Sequence, residues 1–154
     1  MSETLTLLVR RVIRATPERL FAAWTEPAQL RHWWGPETVT CGAAEIDLRV
    51  GGRYRLANRF PDGSVWWIGG SFETIAPPRL LIYSWELAAG ELAPEAPLPP
   101  VQATERVTVR FEPRGDATEV IVQHERIADE AGRVSHEKGW LGCLDGLVAY
   151  LGAA

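Results

Sequence analysis

The residues best suited to proton chemistry lie among apolar residues in strand-like segments of this sequence. His124 follows Val120 and Val122 at alternating positions, so in a β-strand its side chain shares their face and points inward. An inward histidine is either a hydrogen-bonded core residue or a general base at the wall of a cavity, and both interpretations stay open. Asn58 alternates in the same way with apolar neighbours, which indicates either a polar pocket contact or a turn residue at a strand end. His124 is therefore the one weak candidate for a catalytic residue.

Tryptophan is unusually frequent, with seven residues in a chain of 154. Trp66, Tyr83 and Trp85 fall on the inward faces of adjacent strand-like segments. There they either pack the core or form aromatic walls whose polar tips suit a flat hydrophobic ligand. Trp33 and Trp34 precede a Gly-Pro pair, and two interpretations of them remain. They form a lid over a cavity mouth, or one fixes the short helices to the sheet while the other is half exposed.

The sequence contains no recognisable motif for covalent, phosphate or metal chemistry. Gly69-Gly70-Ser71-Phe72 lacks the last glycine of a nucleophile elbow, and Gly51-Gly52 joins two strands instead of a strand and a helix. The histidines, His32, His124 and His136, are scattered along the chain without the short spacing of a metal-binding motif. We therefore predict no metal and no cofactor.

Length and composition indicate a single domain, residues 1–154, because a chain of about 150 residues buries about 70% of its unfolded surface. The net charge of −4 disfavours a phosphate-binding surface, so we expect no nucleic-acid partner. Two cysteines, Cys41 and Cys143, are too few for a disulfide framework. The N-terminal segment resembles neither a secretory signal nor a membrane span. We expect a cytoplasmic protein with reduced thiols.

Hydrophobic periodicity predicts the order of the elements. Residues 4–14 alternate as a strand, Thr16-Pro17 begins a helix, and Pro27 begins a second short helix. From residue 38 onward the period-two pattern predicts about six more strands, with Leu48 and Val50 continuing the first of them. A Pro-rich stretch, residues 88–104, predicts a long loop between two strands. A final helix is predicted from Ser135 to Leu151.

Three glycines form a stripe on that final helix, Gly139, Gly142 and Gly146. Each costs about 1 kcal/mol relative to alanine, so we expect either the close approach of a strand or a space that must stay open. Arg53, Arg55 and Arg59 alternate with an apolar strand face and are expected to be solvated.

This order predicts an α+β fold, in which a curved and mostly antiparallel sheet of about seven strands wraps the long C-terminal helix. Two short helices follow the first strand. A twisted sheet curls around the only element long enough to cover its apolar face. The gap between sheet and helix is where a ligand cavity is expected.

The sequence resembles the SRPBCC (START-like, helix-grip) superfamily over nearly its whole length. The branch it is most similar to is that of the activator of the heat-shock-protein-90 ATPase. The segments that carry this resemblance are RVIRATPERLFAAWTEPAQLRHWWGP (11–36), DLRVGGRYRL (47–56), GGSFETIAPPRLLIYSW (69–85), TEVIVQH (118–124) and HEKGWLGCLDGLVAYL (136–151). The resemblance implies a deep cavity between the sheet and the terminal helix, and no universal catalytic set.

Three functions are compatible with these features. The first is a small hydrophobic-ligand-binding protein that holds an apolar or aromatic molecule in the cavity. The second is a cyclase, aromatase or dehydratase in which His124 is the base and Tyr83 or Asn58 orients a carbonyl. The third, suggested by the resemblance, is a chaperone-cofactor-like module with a protein partner or a homodimer, which predicts an exposed apolar patch. The predicted ligand-binding residues are Trp33, Trp34, Tyr54, Asn58, Trp66, Ile68, Tyr83, Trp85, Val109, Val122, His124, Trp140 and Leu144.

Overall fold

The computed structural model describes residues 4–35, 39–89 and 105–152 of the chain. The elements in these ranges are β1 (Leu5–Ile13), α1 (Pro17–Thr25), α2 (Pro27–Trp33), β2 (Thr40–Ile46), β3 (Arg53–Arg59), β4 (Val65–Ala76), β5 (Leu80–Ala89), β6 (Glu105–Arg114), β7 (Ala117–Ile127) and α3 (Glu130–Leu151). The predicted order of one strand, two short helices, six strands and one long helix is confirmed. Most of the predicted Pro-rich loop, residues 90–104, lies outside the described residues. No described helix combines the length and apolar character that crossing a membrane requires.

The strands form one antiparallel sheet in the order β1-β7-β6-β5-β4-β3-β2. Strands β2 to β6 each pair with the next strand of the chain, and the last strand, β7, also pairs with β1. The register shifts within β1, β2 and β4, the last of them between Phe72 and Thr74. Shifts of this kind add twist and bend to a strand, so they contribute to the curvature of the sheet.

Helix ends follow the local sequence. Thr16 caps α1 by accepting a hydrogen bond from the backbone N–H of Arg19 (3.1 Å), and Pro17 occupies the first turn, as predicted. Helix α3 begins at Glu130, five residues before the predicted start. The Asp129 side chain accepts a hydrogen bond from the backbone N–H of Gly132 (2.8 Å) and caps the helix there. The predicted end at Leu151 is confirmed.

The core lies between the concave face of the sheet and α3. Helix α3 contacts β1, β7 and α2 and buries Trp140, Cys143, Leu144 and Leu147. The inward residues of β6 and β7 are fully buried, in agreement with the predicted alternation.

Two predictions about the strands are wrong. Leu48 and Val50 are exposed, because β2 ends at Ile46 and the chain then turns. Arg55 is only 3% exposed. Its guanidinium lies over the ring of Trp67, 5.1 Å from the centroid, and pairs with Glu45. The stacked indole and the carboxylate together compensate the cost of burying this cation.

Two glycines of α3, Gly139 and Gly146, have different environments, one for each of the expected explanations. A Cβ on Gly146 would lie 2.5 Å from the backbone oxygen of Trp33, so the end of α2 approaches the helix closely there. The close neighbour is therefore a helix end, whereas a strand was expected. A Cβ on Gly139 would meet no atom within 4 Å, so the helix borders open space at that position.

This contrast makes opposite predictions for two identical substitutions. Gly139→Ala should raise the free energy of unfolding by up to about 1 kcal/mol, because alanine is the better helix former and nothing obstructs its methyl group. Gly146→Ala should lower it by about 1–3 kcal/mol, because the Trp33 carbonyl must move. Urea denaturation of the two variants beside the parent protein measures both. Equal shifts in the two variants would contradict the assigned environments.

Candidate functional site

A cavity of about 430 Å³ lies between the N-terminal half of α3 and strands β3 to β5. We call it the outer cavity. A smaller void of about 20 Å³, the inner void, lies deeper against the sheet and has room for about one water molecule. The outer cavity is lined by Trp34, Val39, Asn58, Phe60, Trp66, Ile68, Trp85, Ser135, His136, Lys138, Gly139, Trp140 and Cys143. The inner void is lined by Trp24, Leu30, Trp34, Ile46, Tyr54, Leu56, Phe72, Tyr83 and Trp85. The hollow is therefore concentrated at one end of the helix, and the other end is packed.

Trp34 and Trp85 line both spaces and so form the partition between them. Their ring centroids are 6.2 Å apart, and each packs on Trp140, at 5.4 Å and 5.5 Å. Asn58 holds Trp34 in place, since its side-chain oxygen accepts a hydrogen bond from Trp34 Nε1 (3.0 Å). The Asn58 amide nitrogen donates to the backbone oxygen of Trp66 (3.3 Å). Asn58 thus serves as a polar contact of the cavity wall inside β3.

One polar atom of this wall lacks a partner. Nε1 of Trp85 is buried, and no residue in the described part of the chain accepts a hydrogen bond from it. A buried N–H without an acceptor is costly and uncommon.

A chain of four polar side chains in contact with one another adjoins the outer cavity. Trp140 Nε1 donates to His124 Nδ1 (3.0 Å). Glu105 Oε1 lies 2.6 Å from His124 Nε2 and 3.1 Å from His136 Nε2. The two imidazole rings stack with centroids 4.2 Å apart, and the edge of His136 faces Trp85. We call these residues, Glu105, His124, His136 and Trp140, the polar chain.

Donor and acceptor chemistry fixes the direction of every bond in the polar chain. The indole of Trp140 can only donate, so His124 Nδ1 must be an unprotonated acceptor. The proton of neutral His124 is then on Nε2 and is donated to Glu105. An ionised Glu105 only accepts, so His136 also donates its Nε2 proton to it. Neutral His136 is left with an unprotonated Nδ1.

The electrostatics of the chain agree with this direction. Burial pushes the pKa of Glu105 upward, but hydrogen bonds from both imidazoles and their charges outweigh it and hold the pKa at about 2. Burial lowers the pKa of His124, the neighbouring His136 lowers it further, and Glu105 opposes both. At neutral pH Glu105 is therefore ionised and His124 is neutral.

Three members of the polar chain, Glu105, His124 and His136, are residue types that bind metal ions. The sequence analysis treated the histidines as scattered, and this was wrong in space, because donor atoms of Glu105, His124 and His136 all lie within 4.8 Å of one another. A metal bound to Nε2 of a neutral imidazole requires the proton on Nδ1. The N–H of Trp140 and the Nδ1–H of His124 would then point at each other, and their hydrogen bond would be lost. The arrangement therefore suits proton transfer better than metal binding.

The predicted site residues divide into three groups. Trp34, Asn58, Trp66, Ile68, Trp85 and Trp140 line the outer cavity, and Trp34, Tyr54, Tyr83 and Trp85 line the inner void. Trp66 is 38% exposed at the cavity edge. Trp33, Val109, Val122, His124 and Leu144 are buried in the core and line neither space. Trp33 and Trp34 are both buried, so neither is half exposed.

Glu105, His136 and Lys138 were missed as site residues, although the sequence carried a signal for the first two. Glu105 precedes Val107 by two residues, so the strand alternation places it on the inward face of β6. His136 precedes Trp140 by four residues, which places both on one face of a helix. Lys138 is the only lysine of the chain. Lys138 is exposed and lines the outer cavity, and no described carboxylate lies within 4 Å of its ammonium group.

A curved antiparallel sheet closed over a long C-terminal helix, with a cavity between them, is the helix-grip architecture of the SRPBCC superfamily. Within it, the chain belongs to the Activator of Hsp90 ATPase homolog 1-like protein family, whose model matches residues 14–152. The predicted fold and superfamily are thereby confirmed. The sequence matches none of the curated proteins with which it was compared.

Solved structures of similar chains agree with this assignment. Protein CV1439 from Chromobacterium violaceum has 25% identity and a TM-score of 0.78, covering 94% of this chain and 96% of that one. The AHSA1 protein from Silicibacter pomeroyi has 26% identity and a TM-score of 0.76, covering 96% and 98%. An AHSA1-like protein from Aeromonas hydrophila shares the fold at 19% identity, with a TM-score of 0.76 and coverage of 96% and 92%.

The polar chain predicts how stability depends on pH. Glu105→Gln should lower the free energy of unfolding at pH 7 by about 1–3 kcal/mol, since the charge that both imidazoles stabilise is lost. In the folded protein the pKa of Glu105 lies below the ordinary value of 4.5, so the parent and the variant should differ fully in the free energy of unfolding above pH 4.5. This difference should shrink as the pH falls toward 2. Urea denaturation at a series of pH values measures it, with Glu112→Gln on the same strand as the control. A difference in the free energy of unfolding that does not change with pH would contradict the charged network.

Proposed function

We propose that the protein binds a small, largely apolar or aromatic molecule in the outer cavity. The observation that carries this proposal is a space of about 430 Å³ whose walls include four indole rings. Its size and its mostly apolar lining, with a few polar groups, are typical of small-molecule sites. The binding residues would be those that line the cavity, Trp34, Asn58, Trp66, Ile68, Trp85 and Trp140 among them.

A further feature of the helix supports a ligand. Gly139 keeps the helix wall free of a side chain, although alanine would favour the helix. A glycine at this position is unfavourable for the helix alone, and a molecule bound in the open space beside it gives the missing side chain a use.

The other functions considered receive less support from the site. His124 is fully buried and both ring nitrogens are engaged, so it is not placed to act on a molecule in the outer cavity. The large exposed apolar residues of the described ranges are spread over several elements, which gives little support to a partner-binding patch. Cys41 and Cys143 are free and buried, and burial raises the pKa of Cys143 to about 12. Reduced thiols of this kind fit a cytoplasmic location, which we include in the proposal.

Filling the cavity from the helix side should abolish binding. Gly139→Leu places an isobutyl group in the open space, so we expect the dissociation constant of the fluorescent probe Nile red to rise at least about tenfold. Gly139→Ala should have a smaller effect in the same titration. Val134→Leu adds bulk at an exposed position of α3 and is the size control. Unchanged affinity in Gly139→Leu, with the fold retained, would rule out this cavity.

Trp66 offers a test in which stability is little affected. Its indole lines the cavity but is 38% exposed, so Trp66→Ala should weaken Nile red binding while the melting temperature changes by only a few degrees. Trp85→Ala should weaken binding too, but it also removes a buried indole and destabilises the fold by about 3–5 kcal/mol. Thermal melts and dye titrations on the two variants separate these effects. A Trp66 variant that binds as well as the parent would exclude this wall from the site.

A further inference from the structure

We propose that His136, oriented by Glu105, is a general base that removes a proton from a carbon atom next to a carbonyl group of a molecule in the outer cavity. This inference rests on the proposed function, because it requires that a small molecule enters the cavity. It assigns proton-transfer catalysis to a site described so far only as a binding site. The substrate class is an aromatic or apolar ketone with an acidic C–H, such as a 1,3-dicarbonyl compound.

The first argument is the position of His136 in the polar chain. Both ring nitrogens of His124 are engaged, by Trp140 and by Glu105, whereas His136 lines the cavity and has one ring nitrogen without a partner. Because the ionised Glu105 can only accept, neutral His136 has its proton on Nε2 and a lone pair on Nδ1. In the described part of the chain, no residue donates a hydrogen bond to that nitrogen. A lone pair at a cavity wall is what a general base needs.

The second argument concerns the charge that forms when the base accepts a proton. Glu105 Oε1 lies 3.1 Å from His136 Nε2, so the carboxylate stabilises the imidazolium directly. The stacked His124 stays neutral because protonating its Nδ1 would break the bond from Trp140. Proton transfer therefore places one positive charge, on His136, beside the negative charge of Glu105.

The third argument is that a cation for the developing oxygen charge lines the same cavity. Lys138, the only lysine of the chain, is exposed and lines the outer cavity two residues after His136 on α3. An enolate oxygen near its ammonium group would gain a favourable electrostatic interaction. The base and the cation thus come from neighbouring positions of α3 and border one space.

The step balances without any co-reactant. The C–H bond breaks, its proton forms the N–H bond on His136 Nδ1, and its electron pair forms the carbon–carbon double bond of the enolate. The carbonyl π electrons move to the oxygen. Return of the proton to the carbon regenerates the ketone and the neutral imidazole, so in D2O the substrate exchanges hydrogen for deuterium.

Deuterium exchange into benzoylacetone tests the inference. The rate is followed by NMR at a benzoylacetone concentration that saturates quenching of tryptophan fluorescence, and the buffer rate is subtracted. We expect His136→Asn to lower the protein-dependent rate at least about tenfold, because asparagine lacks the imidazole lone pair that accepts the proton. His32→Asn is the matched control, since His32 is exposed and stacks on Tyr150 away from the cavity. Equal rates for the parent and His136→Asn would overturn the inference.

Glu105 is a positioning residue in this scheme, and its test uses a different readout. At saturating benzoylacetone Glu105→Gln should lower the exchange rate, because the imidazolium loses its carboxylate, while the concentration that half-saturates fluorescence quenching stays the same. An unchanged rate at saturation would contradict the pairing. Failure of Nile red to bind would overturn the proposed function itself. Saturable binding of benzoylacetone without protein-dependent exchange would overturn the general base alone and leave the binding function intact.

Discussion

The hydrogen bond from Trp140 to His124, 3.0 Å long, fixes the position of the long helix against the sheet at the edge of the cavity. An indole nitrogen only donates and an ionised carboxylate only accepts, so Trp140 and Glu105 together fix the tautomer of His124. The same carboxylate lies 3.1 Å from His136 Nε2 and leaves Nδ1 as the free nitrogen of that imidazole. Trp140 thus both packs the core and occupies the nitrogen at which His124 could otherwise accept a proton.

The distribution of aromatic residues explains why the interior is open at one end only. Trp24 and Trp33 extend from the first two helices and pack with Phe111, with ring centroids 4.9 and 5.8 Å apart. At the other end the indoles of Trp34, Trp85 and Trp140 also contact one another, but Gly139 contributes no side chain to fill the space beside them. Large rigid rings cannot fill a volume as closely as branched aliphatic side chains, unless small residues or a ligand occupy the gaps between them. The cavity is the space that this set of side chains leaves.

Most of the fold could be predicted from the sequence because alternation and caps are local signals. The strand patterns, the Thr16 cap and the Pro27 start appear in the structure as expected. The start of α3 was placed too late because the cap at Asp129 precedes an exposed polar turn with no apolar period. Burial of Arg55 could not be predicted, since it depends on Trp67 and Glu45 lying beside it in space. The meeting of Glu105 with His136 likewise needed the register of β6 against β7 and the packing of α3. Sequence separation alone made the histidines look unrelated.

The pairing of β1 with β7 also bears on how this chain reaches its native state. Every residue pair in that ladder is separated by more than 100 positions, as in Ile13 with Thr118. On a ribosome, the first strand is made early and has no partner until nearly all of the chain has emerged. Its alternating apolar residues remain uncovered for most of that time. High contact order slows folding, and unpaired strands promote association during the delay. Sheet closure and placement of the final helix are therefore late and coupled events, so the cavity can exist only once translation of the last helix is complete.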